Sequence, residues 1–415
     1  MEKENKPEKK PNSFEIFLEE IQHNSWTVTV LAIFTGIILG GLLAAITSLE
    51  MYAAFKVSIW DGIKTGLEVA WSTYSALFTG SVGDFGKIKL ALAGSDALEI
   101  RRAFFPFFES LVQSTPYIFG GLAVAVGFRA GLFNIGVEGQ IFIGALTGAW
   151  AGYSFPDLPA IIHVPLAMLC GFLGGAIWGF IPGLLKAKTG ASEVINTIMM
   201  NYIAFRFSEY MLRGPMKDPT EYTPKTPLIA DSAKLYHFFQ DPIRFHLGFF
   251  IALAAAFLVY WLLFKTTWGF ELRTVGANSN AARYAGMSNV MVTILAMSLS
   301  GGLAGLAGAN EVLGVNLRLV PAFSSGYGFD SIALALLGKN HPLGVVLSAL
   351  LFGFLRSGAR QMQLKAGIPI DIISILQALI LAFIAAPAII RTIYRMKEPE
   401  VKEEEELTLS GWGGK

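Results

Sequence analysis

Hydrophobic runs dominate the chain. Stretches long enough to cross about 30 Å of hydrocarbon as helix occupy residues 27–49, 105–128, 161–185, 191–212, 246–264, 291–313 and 370–391. Three further runs, 133–152, 329–338 and 343–356, are short or broken by glycine, proline and polar residues. The pattern predicts an all-α polytopic membrane protein with about ten transmembrane helices, the short or broken ones included. With the Lys-rich amino-terminal tail inside, ten crossings return Arg391, Arg395 and Lys397 to the same side, as the positive-inside rule prefers. Lys186, Lys188 and the loop 265–290 then also lie inside. Arg356, Arg360 and Lys365 object, because they fall outside with no acidic residue between them. Merging 329–356 into one crossing would bring them in and expel the carboxyl tail. It would also set Lys339, Asn340, His341 and Pro342 near mid-bilayer, where a charge costs about 2.5–3.5 kcal/mol, so ten is the preferred count.

The same pattern divides the chain. Residues 1–26 form a charged cytoplasmic tail, 27–49 a first membrane helix, 50–104 an extracytoplasmic region with room for short surface helices, 105–392 the membrane core, and 393–415 an acidic cytoplasmic tail. The first hydrophobic run is too long for a signal-peptide core and lacks a small-residue cleavage site, so it is expected to be retained.

Composition supports the membrane assignment. Of 415 residues 53% are apolar and 15% charged, and the mean hydropathy is +0.53, whereas soluble chains carry about a quarter charged residues. The net charge of +1 is spread through loops and forms no basic stripe, which argues against nucleic acid. The single cysteine, Cys170, forbids an internal disulfide and sits in an apolar run.

Membrane helices pack through small residues, and Gly171, Gly175, Gly179 and Gly183 fall on one helix face. Gly36 with Gly40, Gly144 with Gly148, and Gly301 with Gly305 repeat the spacing. Two pieces instead combine glycine with embedded polar groups, "FRAGLFNIGVEGQIFIG" and "SSGYGFDSIALALLGKNHPLG". Lipid offers their irregular backbone no hydrogen-bond partner, so both belong inside the bundle. Each follows a long span, and those spans run in opposite directions, the arrangement of inverted-repeat transporters.

Asn134, Glu138, Gln140, Asp330, Lys339 and His341 therefore stand as candidates for lining a translocation path. The alternative is that they cap half-helices and pair with one another, Glu138 with Arg129 for example. In "ASEVINTIMMNYI", Ser192 is placed to cap a helix with Glu193 in its first turn. Asn196 and Asn201 lie deeper, suited equally to a polar path or to an interhelical hydrogen bond.

No energy source is visible. "LLGKN" lacks the glycine five residues before Gly338 and the Ser or Thr after Lys339 that a phosphate loop requires. No HExxH spacing, thiolate cluster or intramembrane protease element occurs, so neither a metal site nor an enzyme is expected. The loop "KTTWGFELRTVGANSNAARYAGMSN" is more informative: Asn278 or Ser279 can cap a helix of about two turns, with Gly286 as its stop. Flanked by Arg273 and Arg283, such a helix would be presented to a separate motor or would lie on anionic lipid.

Four segments, "GLFNIGVEGQIFIGA", "SEVINTIMMNYIA", "GANSNAARYAGMS" and "GFDSIALALLGKNHPLGVVLSALLFG", together resemble the permease subunits of bacterial nucleoside ABC importers. Those belong to the branched-chain amino acid and ribose-type permease family. The resemblance covers residues 105 to 392 and implies about ten helices. It also implies that the loop with Arg273, Gly276, Asn278, Ala281, Ala282, Arg283, Tyr284 and Gly286 docks on the ATPase. By the same resemblance the partners are a second, different permease, a tandem-domain cytoplasmic ATPase that holds ATP and magnesium, and a substrate-binding lipoprotein. This chain is then expected to bind no cofactor and to catalyse nothing itself. Ribose-type sugar import is the nearest rival function, and an ion-coupled carrier acting alone is a rival of another class.

Overall fold

The computed structural model describes residues 25–396 except 95, 368 and 370; the tails assigned above to 1–26 and 393–415 thus fall almost wholly outside the described residues. Helices account for nearly all of it, and no strand occurs among the described residues. The amino-terminal part contains α1 (Ser25–Thr47), α2 (Leu49–Phe55), α3 (Ile59–Ser81) and α4 (Phe85–Leu92). The first half of the core follows with α5 (Ala97–Arg129), α6 (Val137–Ser154), α7 (Ala160–Thr189) and α8 (Glu193–Arg213). The second half has α9 (Gly248–Lys265), the short α10 (Thr267–Ala277) and α11 (Ser279–Tyr284), then α12 (Asn289–Glu311). It ends in α13 (Tyr327–Leu337), α14 (Pro342–Ala366), α15 (Asp371–Ala385) and α16 (Pro387–Ile393).

All ten hydrophobic runs are helical, but they are not equivalent. Among the described residues six helices are long and apolar enough to cross a membrane, or seven if the bent pair α15–α16 counts as one. The expected ten is therefore not reached on length and apolarity alone: α13 has only 11 residues, and α8 carries Glu193, Arg206, Glu209 and Arg213 along its length.

One buried helix and one glycine seam organise the core. In α5 the run from Ser114 to Gly127 is buried throughout, so other helices surround it on every side. α7 and α12 meet along the glycine face anticipated from sequence. A Cβ on Gly305 would stand 3.0 Å from the Cα of Gly175, and one on Gly148 of α6 would stand 2.9 Å from the Cβ of Ala309. Gly144 presses on the backbone of Gly305 from the third side. With no hydrophobic effect available between helices in lipid, such close backbone approach supplies the van der Waals contact that holds them.

The region 50–104 departs from expectation. Rather than only short surface helices it holds α3, of 23 residues, whose small face packs on two core-facing neighbours. Gly62, Gly66, Val69, Thr73, Ala76 and Gly80 are buried along that face at helical spacing. Ser357 of α14 donates to the Gly80 carbonyl, and Tyr74 donates to the carbonyl of Ile37 on α1. The region's Asp61, Lys64 and Glu68 hid this helix in the hydropathy pattern, because they lie on its outward side.

Candidate functional site

The two polar segments singled out from the sequence meet. α5 ends at Arg129, the chain breaks, and α6 restarts at Val137. α12 ends in a π-helical turn, Val312–Asn316, and an irregular stretch with positive φ at Leu317, Ala322 and Gly326 leads into α13. The amino-termini of α6 and α13 then abut so closely that a Cβ on Gly328 would stand 2.8 Å from the carboxylate of Glu138. Each helix start presents unpaired N–H groups and a partial positive charge. The Glu138 carboxylate answers both needs: it accepts from the Gly328 N–H at 2.5 Å and from the Ser324 hydroxyl at 2.6 Å. Its suggested pairing with Arg129 is not found, since Arg129 donates instead to the carbonyls of Asn340 at 3.0 Å and Lys339 at 3.4 Å.

Cavities open on both sides of the α13 start. One, of about 420 Å³, is lined by Glu138, Phe142, Phe205, Ser208, Glu209 and Ser324. Its two phenylalanine rings contact edge to face at 4.8 Å, and Phe323 packs on Phe142 at 4.9 Å. The other, of about 360 Å³, is lined among others by Ser325, Asp330, Arg356, Ser374 and Gln377. There Asp330 accepts from the Tyr117 hydroxyl at 2.8 Å and from Arg356 at 3.2 Å, while Arg356 also donates to Tyr117 at 2.6 Å and to the Ser325 hydroxyl.

The other path candidates separate from these two. Asn134, Gln140 and Asn201 are buried and committed to holding the break before α6. Asn134 donates to Gln140 at 3.0 Å and to Ser300 at 2.8 Å, and Asn201 accepts from the Gly139 N–H at 2.8 Å while donating to the Ile135 carbonyl at 2.9 Å. Asn196 is half-buried, its amide nitrogen without a partner. Lys339 and His341 lie at the opposite end of α13 from Asp330, in the turn to α14. His341 caps α14, accepting from Leu343 N–H at 3.3 Å, and its ring packs on Phe264. An 11-residue helix is about 16 Å long, which is why these residues and Asp330 do not share a site. Ser192 does occupy the N-cap position of α8, but its side chain makes no capping bond.

Sequence reasoning passed over the groups that complete the polar interior. Arg356 closes the expected run 343–356 and Arg360 lies beyond it, yet both belong to α14, which runs ten residues past that end. Glu109 of α5 pairs with Arg244 and lies 3.9 Å from Arg360, tying the segment before α9 to the bundle. The signal was present: arginines without a nearby acid need a distant one, and Glu109 and Glu311 sit within predicted spans.

The segment 265–290 contains the anticipated capped helix. The Asn278 carboxamide oxygen accepts from the N–H groups of Asn280 and Ala281, each at 3.0 Å, and Gly286 stops α11 with φ +83°. Ala281, Arg283 and Tyr284 are exposed, whereas Ala282 is fully buried against the bundle. Gly276 is packed on the backbone of Arg129, Ala130 and Gly131, and Arg273 lies over the ring of Phe264.

Comparison with known proteins places this arrangement. The family described as "Branched-chain amino acid transport system / permease component" matches residues 107–385. The chain belongs to that family. The guanosine ABC transporter permease protein NupP of Bacillus subtilis is similar, 46% identical over 293 residues, which cover 69% of this chain and 82% of that protein. The nucleoside ABC transporter permease protein NupB of Lactococcus lactis is 39% identical over 295 residues, 69% of this chain and 80% of its own. The glucose ABC transporter permease protein TsgB13 of Haloferax volcanii is 36% identical over 337 residues, 76% and 88% of the two chains. No solved structure matches. This permease is thus a multi-pass membrane protein whose broken helices, α6 and α13, lie within the matched region.

Proposed function

We propose that this chain is one of two unlike permease subunits of an ATP-driven importer that takes up nucleosides, with both tails in the cytoplasm. The cavity beside Glu138 carries the reading. Phe142 and Phe205 offer aromatic faces to a nucleobase, and Glu138, Glu209, Ser208 and Ser324 offer hydrogen bonds to ribose hydroxyls. A branched aliphatic side chain would make no hydrogen bond to these groups, whereas ribose hydroxyls can add donors to carboxylates already held by Ser324, Gly328, Arg206 and Arg213. The similarity to guanosine and nucleoside permeases supports the same cargo.

ATP and magnesium would be held by a separate ATPase, and an external lipoprotein would deliver the cargo. The exposed Ala281, Arg283 and Tyr284 of α11 would receive the ATPase. Contacts then lead inward from α11. Gly276 bears on the break before α6, and Arg129 at that break holds the carbonyls at the end of α13, so both half-helices follow one arm. A second permease is supported by α8, which exposes Tyr202, Phe207 and Tyr210 among the ion-paired Arg206, Glu209 and Arg213. That face is too polar for lipid and borders the aromatic cavity.

The test is uptake of radiolabelled guanosine, uridine, ribose and glucose in cells with and without the chain, repeated with a catalytically dead ATPase. Nucleoside uptake lost in both backgrounds, with both sugars untouched, is the expected outcome. Loss of sugar uptake alone would replace the cargo, and uptake that survives the dead ATPase would replace the energy source with an ion gradient.

A further inference from the structure

At the end of the bundle that carries α10 and α11, basic side chains collect around one ring. The guanidinium carbons of Arg129 and Arg273 stand 5.5 Å and 5.2 Å from the centroid of Phe264, and the His341 ring centroid lies 5.4 Å from it. These three come from the end of α5, from α10 and from the α13–α14 turn. Neither arginine has a carboxylate partner among the described residues; Arg129 donates only to main-chain carbonyls and Arg273 only to the Gly269 carbonyl of its own helix. Two guanidinium groups that share one ring and have no carboxylate counter-charge call for an anion, and their planar donors suit phosphate oxygens.

The cluster opens onto a groove. Between α9 and α14 lies a cavity of about 480 Å³ lined by Leu253, Phe257, Tyr260, His341, Leu343 and Val346, among others. It reaches from Tyr260 and His341 beside the arginines to Leu253 deeper along α9. Phe257 and Leu343 on its walls are exposed, so its mouth faces outward from the bundle. Trp261 and Trp268 are also exposed nearby, and tryptophans of this kind mark the headgroup level of a bilayer.

We propose that this groove binds one anionic glycerophospholipid, with an acyl chain along Leu253 to Tyr260 and the phosphate at Arg129 and Arg273. Charge complementarity selects the headgroup and the apolar lining selects the chain. The bound lipid bridges α5, α10 and α14, so it stiffens the region through which α11 acts on the core. The lipid site stands whether or not the cargo is a nucleoside.

The experiment is native mass spectrometry of the full-length protein released from nanodiscs of equimolar phosphatidylglycerol and phosphatidylcholine. The intact protein retains one phosphatidylglycerol in preference to phosphatidylcholine by about fivefold or more. Arg273→Gln brings the two lipids to parity, Arg273→Lys keeps most of the preference, and Lys188→Gln, an exposed charge at the end of α7, leaves it unchanged. Leu343→Asp is a second variant: a carboxylate in the first turn of α14 favours that helix while repelling a phosphate and spoiling the groove, so retention falls in a folded protein. Equal retention of both lipids by the unmodified protein overturns the proposal. So does unchanged preference in both Arg273→Gln and Leu343→Asp, or displacement of the lipid by millimolar inorganic phosphate, which would make this a site for free phosphate.

Discussion

Two of the places where backbones approach one another closely in this molecule are held by different means. Along the α7–α12 seam they meet because side chains are absent: Gly171, Gly175, Gly301 and Gly305 leave main chain against main chain. At the junction of α6 and α13 Gly328 again permits the approach, but a side chain holds it, the Glu138 carboxylate joining one helix start to the other. The seam is closed by van der Waals contact of main chain on main chain, whereas the junction is held by hydrogen bonds that water or cargo could replace. A transporter needs both, a frame that keeps its geometry and a joint that can change partners.

The largest expected effect breaks the seam. Gly305→Leu forces a side chain into backbone on two sides and should cost more than about 3 kcal/mol, read as loss of monodisperse protein on size-exclusion chromatography. At the junction the protein should fold while transport fails. Arg356→Ala leaves Asp330 and Tyr117 without their shared donor, a loss of about 2–3 kcal/mol for a pair only partly buried. The double variant Asp330→Asn, Arg356→Gln should recover thermal stability without recovering uptake. Glu138→Gln keeps the shape but weakens the bonds to Ser324 and Gly328, about 1–2 kcal/mol, with cargo uptake falling more than the melting temperature. Asn278→Ala removes the α11 cap at about 1 kcal/mol and should separate ATP hydrolysis from uptake in reconstituted vesicles.

The smallest effect concerns neither region and so serves as a control. Glu221, in the loop before α9, is held below the ordinary carboxylate value by hydrogen bonds from Lys225 and Arg318. The stabilisation is present above the ordinary value of 4.5 and is lost as pH falls through the depressed one. Proteolytic nicking of residues 218–225 should therefore stay flat from pH 7 to about 5 and rise only in stronger acid, with uptake unaffected across the flat range.

Local patterns were legible in the sequence and distant pairings were not. Hydrophobic run length located ten helical segments, four-residue glycine spacing located the seam, and Asn278 with Gly286 bounded α11 correctly. Each depends on residues within a few turns of one another. Glu138 was flagged for its setting, but its partners lie 186 and 190 positions away. The sequence sets Arg356 at the end of the run 343–356 and shows no partner for it, because Tyr117 is 239 positions distant. Sequence proximity likewise groups Asp330 with Lys339 and His341, which are set at the two ends of one helix. α3 escaped because its charges share one face and its glycines another, so an average over the window cancelled both.

The contact between Gly131 and Gly276 has a mechanical meaning. A Cβ on Gly131 would stand 3.0 Å from the Cα of Gly276, so no side chain lies between the arm and the break it bears upon. Rotamers are the soft elements of a protein interior, able to take up an ångström of movement by turning about a bond. With none interposed the joint has little slack, so under the proposed coupling a small movement of α10 and α11 would pass directly to the break before α6.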